Sequence, residues 1–196
     1  MTVLLLDPRW PTLIPMEAVG KLQGPVVFTD EVPVKVRWDF DSLLCGEDPE
    51  GHGVVVSTDP SHPQVRALID ADADLILAPS LEEPMWKARE VMSRARRIGE
   101  WERDQTHETL LPYLEEESAE FAQAVRERAS DAELRKELGD VFLQVLFHAE
   151  IAARRGAFTL DDVAMSFVNK MRSRAPYLFD GTEDVVEVEE QERLWA

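Results

Sequence analysis

The sequence predicts two unlike parts: a small α/β domain over residues 1–80, then an all-α helical bundle over residues 81–196. Three observations lead there. Nine of the 12 prolines fall before residue 80, as a turn-rich segment requires. Short β-branched runs in that part are each followed closely by Pro or Asp, the grammar of strands and turns. From Ser80 onward the pattern is helical, and three capping pairs announce helix starts: Ser80 with Glu83, Ser130 with Glu133, and Thr159 with Asp162.

Taken in order, the expected strands are Val3–Leu6, Val26–Phe28, Val34–Trp38, Val54–Val56 and Leu75–Leu77, with a short helix at Val65–Ala71. No Gly-rich phosphate loop follows any of them, and Asp7, Asp30 and Asp59 read as turn and cap residues. In the second part helices are expected at 81–98, 106–128, 131–155 and 159–174, with a short one near 187–196. Only Ala129 and Ser130 separate the second of these from the third, so the two should lie antiparallel as neighbours.

A chain of 196 residues that is 44% hydrophobic can bury a real core. Its net charge of −18 argues against nucleic acid and anionic membranes as partners. A polyanionic small substrate would need a metal ion or a local group of Lys and Arg. Cys45 is the one cysteine, which excludes an intrachain disulfide and makes the cytoplasm the expected compartment. Met1–Asp7 lacks the features of a signal peptide, and no apolar run approaches the length of a membrane span. The four histidines are scattered, which leaves a Cys/His zinc site without support.

The informative residues are carboxylates that interrupt apolar helix faces. At about 100° per residue, Leu110, Leu114, Phe121, Ala124 and Val125 form one stripe, and Glu117 falls inside it. An unpaired buried carboxylate is costly, so Glu117 needs a partner. Glu120 lies one turn on and shares its face; Glu116 is further round. In the next helix Leu134, Leu138, Val141, Val145 and Ala149 form the stripe, with Glu137 at its border and Asp140 just beyond. An antiparallel hairpin can set Glu117 and Glu120 opposite Glu137 and Asp140. Four facing carboxylates repel unless cations or protons join them, and a hard divalent ion with oxygen ligands is the natural solution, Mg²⁺ first and Mn²⁺ as its substitute. The competing reading is a solvated acidic helix face.

The same residues carry a resemblance. Trp101, Gln105, Thr106 and His107 give W-x-x-x-Q-T-H; Leu110–Glu120 reads L-L-P-Y-L-E-E-E-S-A-E; Glu137–Ala149 reads E-L-G-D-V-F-L-Q-V-L-F-H-A. F-T-L-D-D-V at Phe158–Val163 and N-K-M-R-S-R-A-P at Asn169–Pro176 follow in order. The stretch from Trp101 to Phe179 resembles the MazG-type nucleotide pyrophosphohydrolases; the first 80 residues add nothing to the resemblance. What it implies is a MazG-like helical module, a homodimer or higher homo-oligomer, that cleaves nucleoside triphosphates to monophosphate and pyrophosphate in clearing the nucleotide pool. It implies Mg²⁺ ligation by Glu117 with Glu120 and Glu137 with Asp140, with Glu116 assisting, and triphosphate contacts from Lys170 and Arg174. Trp195 would contact the nucleotide.

Two departures stand out. Lys136 precedes Glu137 where many relatives carry a second acid. The family also continues past the position of Trp195 with further helix and a Lys, so the chain is expected to be truncated at its C-terminus and less active for it. Competing functions are a phosphoribosyl-nucleotide pyrophosphohydrolase of the same superfamily and a non-catalytic, metal-stabilised dimerisation module. Leu143 and Leu146 point away from the main stripe and are expected to be covered by a partner subunit. His148 is read as a hydrogen-bonded core residue.

Overall fold

The computed structural model describes residues 1–45 and 53–195. The chain divides into two compact units, Met1–Lys87 and Ala88–Ala196. The last residue of the helix expected near 187–196, Ala196, lies outside the described residues.

The first unit is built on four strands, β1 (Thr2–Leu5), β2 (Val26–Phe28), β3 (Val54–Ser57) and β4 (Asp74–Leu77). All pairs are parallel, in the order β2-β3-β1-β4, with Val3 opposite both Val55 and Leu75. β1 and β3 are central and buried on both faces, which is why they read as unbroken apolar runs rather than alternating ones. Leu4, Leu6, Val54 and Val56 face a core completed by Leu22, Val36 and Phe40. Val3 and Val55 face the other way, against Val65 of a helix at Pro63–Asp70. Gly53 enters β3 at φ +68°, and a Cβ there would lie 2.4 Å from the Pro25 carbonyl oxygen, so only glycine fits.

One expected strand is a helix. Val34–Trp38 lies in α1 (Val34–Asp39); the Pro63–Asp70 helix is α2. The alternating V-K-V-R-W pattern invited a strand, but Val34 and Trp38 are exposed and only Val36 is buried. Val36 and Phe40, four apart, are the core-facing pair, which is helical spacing. Arg37 reinforces the turn by donating to the Val32, Thr29 and Asp30 carbonyls at 2.9–3.0 Å.

Polar groups collect just past the strand ends. Burial works against the Asp7 carboxylate, but side-chain and backbone hydrogen bonds from Arg9 outweigh it and hold its pKa below the usual range. Burial likewise opposes Glu31, yet Ser57, Thr29 and the Thr58 amide hold its pKa down to about 2. A depressed carboxylate stabilises the fold above its unfolded pKa and loses that contribution as pH falls toward the folded value. Because Glu31 is largely exposed, solvent screening limits the effect. Glu31→Gln is therefore expected to cost about 1 kcal/mol at pH 7 and nothing near pH 2, read from urea midpoints across that window. An equal loss at both ends would exclude the ionic contribution.

Among the described residues the chain from Pro84 onward is helical and contains no strand: α3 (Pro84–Ile98), α4 (Glu100–Asp104), α5 (Leu111–Glu127), α6 (Asp131–Arg154), α7 (Leu160–Arg174) and α8 (Val188–Trp195). α3 starts at 84 rather than 81. Pro84 has no N–H to return to the Ser80 carbonyl, so Ser80 stays in a 3₁₀ turn and Glu83 caps the helix, accepting from the Met85 and Trp86 amides at 2.8 Å. Pro112 likewise cannot donate to the Glu108 carbonyl, and α5 begins at 111 rather than 106. α4 was not expected. Buried Arg96 caps its end, donating to the Glu102, Gln105 and Arg103 carbonyls.

Ser130 accepts from the Glu133 amide, and Thr159 with Asp162 forms a reciprocal box, as the sequence indicated. Arg128 closes α5 in the left-handed region at φ +54°. The turn at Arg128–Ser130 folds α6 back against α5. Met92, Leu110, Leu146 and Phe147 form the core of this unit, and Trp101 meets Phe147 and Tyr113 edge-on at centroid distances of 5.9 and 5.7 Å. Leu146 is thus covered within its own chain, contrary to expectation, because α3 packs on that side. Leu138 and Val145, expected in the buried stripe, are exposed instead, as is Leu143. No helix among the described residues is long and apolar enough to cross a membrane.

Candidate functional site

The α5–α6 hairpin creates the site because it aligns two helix faces whose acids fall at i, i+3 spacing. Glu117 and Glu120 come from α5, and Glu137 from α6; one carboxylate oxygen of each lies within 4.8 Å of the others. Glu137 is 8% exposed, and its Oε2 is buried without a partner. Its Oε1 accepts from Lys136 Nζ at 2.8 Å. The same ammonium donates to Asp140 Oδ2 at 3.4 Å; Asp140, expected as a fourth member, lies outside the group of three. Glu116 is exposed and contributes only its charge.

The electrostatics are those of an under-neutralised cluster. The Glu117 pKa is raised by burial first, then by the charges of Asp140, Glu120, Glu116 and Glu137. The Lys136 pKa is raised by its hydrogen bonds to Glu137 and Asp140. All the candidate ligand atoms are oxygens, and one of them is buried without a hydrogen bond. A donor set of this kind fits a hard cation such as Mg²⁺, which takes oxygen ligands and keeps part of its water. A buried carboxylate oxygen without a donor costs stability, and a cation would remove that cost.

A second group forms where α7 meets α8. Arg174 donates to the Trp195 carbonyl at 2.7 Å, and its guanidinium lies 5.5 Å from the Trp195 ring centroid. Lys170 Nζ lies 5.8 Å from the same ring. Lys170, Arg174 and Trp195 therefore come together. Among the described residues no hydrogen bond or ion pair joins them to the carboxylates.

His148 does have its hydrogen bond, and the partner is His107. The ring planes are 5° apart and the Nδ1 atoms meet edge to edge at 2.7 Å, so one ring donates to the other. Burial, then His107, holds the His148 pKa below the usual imidazole value. Sequence reasoning missed this pairing, since 41 residues separate the two. It also missed the role of Lys136, although its placement one and four residues before Glu137 and Asp140 was a legible signal.

Two family models match this chain: the MazG N-terminal domain over residues 1–76 and the MazG nucleotide pyrophosphohydrolase domain over residues 105–179. The first unit, in which the motifs carried no resemblance, is thereby matched as well. The nucleoside triphosphate pyrophosphohydrolase of Mycolicibacterium smegmatis is 44% identical over 199 residues, and that of Mycobacterium tuberculosis 42%. Both alignments take in all of this chain, which spans 60% of the length of either relative. A crystal structure of a MazG-related protein from Thermotoga maritima is 33% identical, with a TM-score of 0.49, covering 56% of this chain and 93% of that one.

Proposed function

The chain belongs to the MazG nucleotide pyrophosphohydrolase family, and from that premise we propose that it hydrolyses nucleoside triphosphates to monophosphate and pyrophosphate with Mg²⁺ held by Glu117, Glu120, Glu137 and Asp140. The observation that carries the reading is the convergence of three carboxylates, one of which, Glu137, has a buried oxygen that no donor satisfies. When bound, the metal supplies neutralisation of phosphate oxygens and acidification of a ligated water. Glu117, Glu120, Glu137 and Asp140 would hold the ion, and a carboxylate of this set would accept a proton from the attacking water. Lys170 and Arg174 stabilise charge gathering on the departing pyrophosphate, and Trp195 offers a ring face to the base. Mn²⁺ is the expected substitute, and clearing of the nucleotide pool in the cytoplasm the expected role.

The test is pyrophosphate release from a panel of ribo- and deoxyribonucleoside triphosphates, with and without Mg²⁺. Metal-dependent release from at least one supports the proposal. A protein that binds Mg²⁺ and releases none throughout the panel would instead be a metal-stabilised binding module.

Assembly is part of the proposal. Leu138, Leu143 and Val145 leave apolar surface on α6, and α7 contributes no fully buried residue. A second copy of the hairpin is the partner that would cover them. Light scattering at micromolar concentration is expected to give at least a dimer mass; a monomer mass would contradict it.

A further inference from the structure

We propose that Lys136 is a tethered counter-ion: it occupies the carboxylate cluster while no metal is bound, is displaced when a divalent cation enters, and so sets the metal affinity of the site. This rests on the metal reading above and goes beyond it, because it assigns a role to a residue that is no ligand.

Lys136 bridges Glu137 and Asp140, at 2.8 and 3.4 Å, which are two of the four proposed ligands and the two contributed by α6. Its side chain remains 66% exposed, so the two carboxylates, and not packing, hold it there. Glu137 is only half satisfied by the ammonium: Oε1 accepts from it, and buried Oε2 has no donor. One positive charge cannot neutralise Glu117, Glu120, Glu137 and Asp140 together. The cluster is thus held together in part and still short of charge. A divalent ion must take Glu137 and Asp140 from Lys136, or bind with an ammonium beside it, and both weaken binding. Displacement is easy because a flexible four-carbon stem can swing its ammonium into water.

A residue of this kind has opposite effects on the two states of the site. Removing its charge takes support from the metal-free cluster and removes a competitor from the metal-bound one. A merely structural lysine would weaken both.

The experiment is isothermal titration of metal-free protein with Mg²⁺ alone, for wild type, Lys136→Gln and Lys136→Arg, with thermal midpoints recorded before and after saturation. Lys136→Gln is expected to bind Mg²⁺ about 3- to 10-fold more tightly, the range set by a partly exposed ion pair plus repulsion between neighbouring cations. Its metal-free midpoint is expected to fall, and its gain on saturation to exceed that of wild type. Lys136→Arg, which keeps the charge, should stay within about twofold of wild type. Lys136 is exposed, and an unchanged far-UV spectrum verifies that each variant folds. An unchanged or weaker Mg²⁺ affinity in Lys136→Gln would overturn the proposal while leaving the metal site standing. Absence of Mg²⁺ binding in all three proteins would overturn the metal reading, and this proposal with it.

Discussion

Glu117→Gln is expected to lower Mg²⁺-supported kcat/KM by about two to three powers of ten, because a carboxylate withdrawn from a hard cation forfeits several kcal/mol of charge stabilisation and each 1.36 kcal/mol is tenfold in rate. Asp140→Asn should behave alike. The amide keeps the shape and loses the charge, so helix content should not change. Glu117→Gln has a second signature. The raised pKa of Glu117 means that its ionised form costs the metal-free fold stability at neutral pH, a cost that vanishes as pH falls through the folded value. The metal-free variant should therefore be more stable than metal-free wild type at pH 7, and the two should converge in acid. Thermal midpoints over pH 4–8 (about that range suffices) check the sign. Retained turnover at limiting Mg²⁺ would remove Glu117 from the site.

Phe147→Ala is expected to cost about 3–5 kcal/mol, the usual loss for truncating a buried aromatic. Phe147 is 4% exposed and packs with Met92, Leu110 and Leu146. Its ring also meets Trp101, which in turn meets Tyr113. The substitution removes core volume and one edge-to-face contact, and through Trp101 loosens the seat of the α5–α6 hairpin. With two compact units, unfolding need not be a single transition. The relevant quantity is the transition in which helical signal and Trp101 fluorescence move together, followed in urea. A loss under 1 kcal/mol there would show that Phe147 is not central to this core.

The carboxylate site was legible because it broke a rule. Glu117 sat where an apolar residue belonged, and Glu120, Glu137 and the tight turn before α6 supplied companions at helical spacing. The helix starts at Ser130 and Thr159 were legible from their caps for the same local reason. What failed depended on tertiary choice. Val34–Trp38 has strand composition, yet the core takes Val36 and Phe40 and leaves Val34 and Trp38, which a strand would set on that same face, exposed. The prolines at 84 and 112 deleted specific amide donors and moved two helix starts inward. Leu146 and Val145 exchanged the places assigned to them, because the position of α3 is not encoded in the periodicity of α6. The first unit had no chemical motif to read, and its likeness emerges from a family model and from relatives aligned over the whole chain.

The most direct test of the central claim is ³¹P NMR of one nucleoside triphosphate incubated with the protein and Mg²⁺, against a sample held in excess chelator. Monophosphate and pyrophosphate are expected in equal amounts with Mg²⁺, and no change with chelator. Diphosphate with orthophosphate, or the same products at the same rate in chelator, would contradict it.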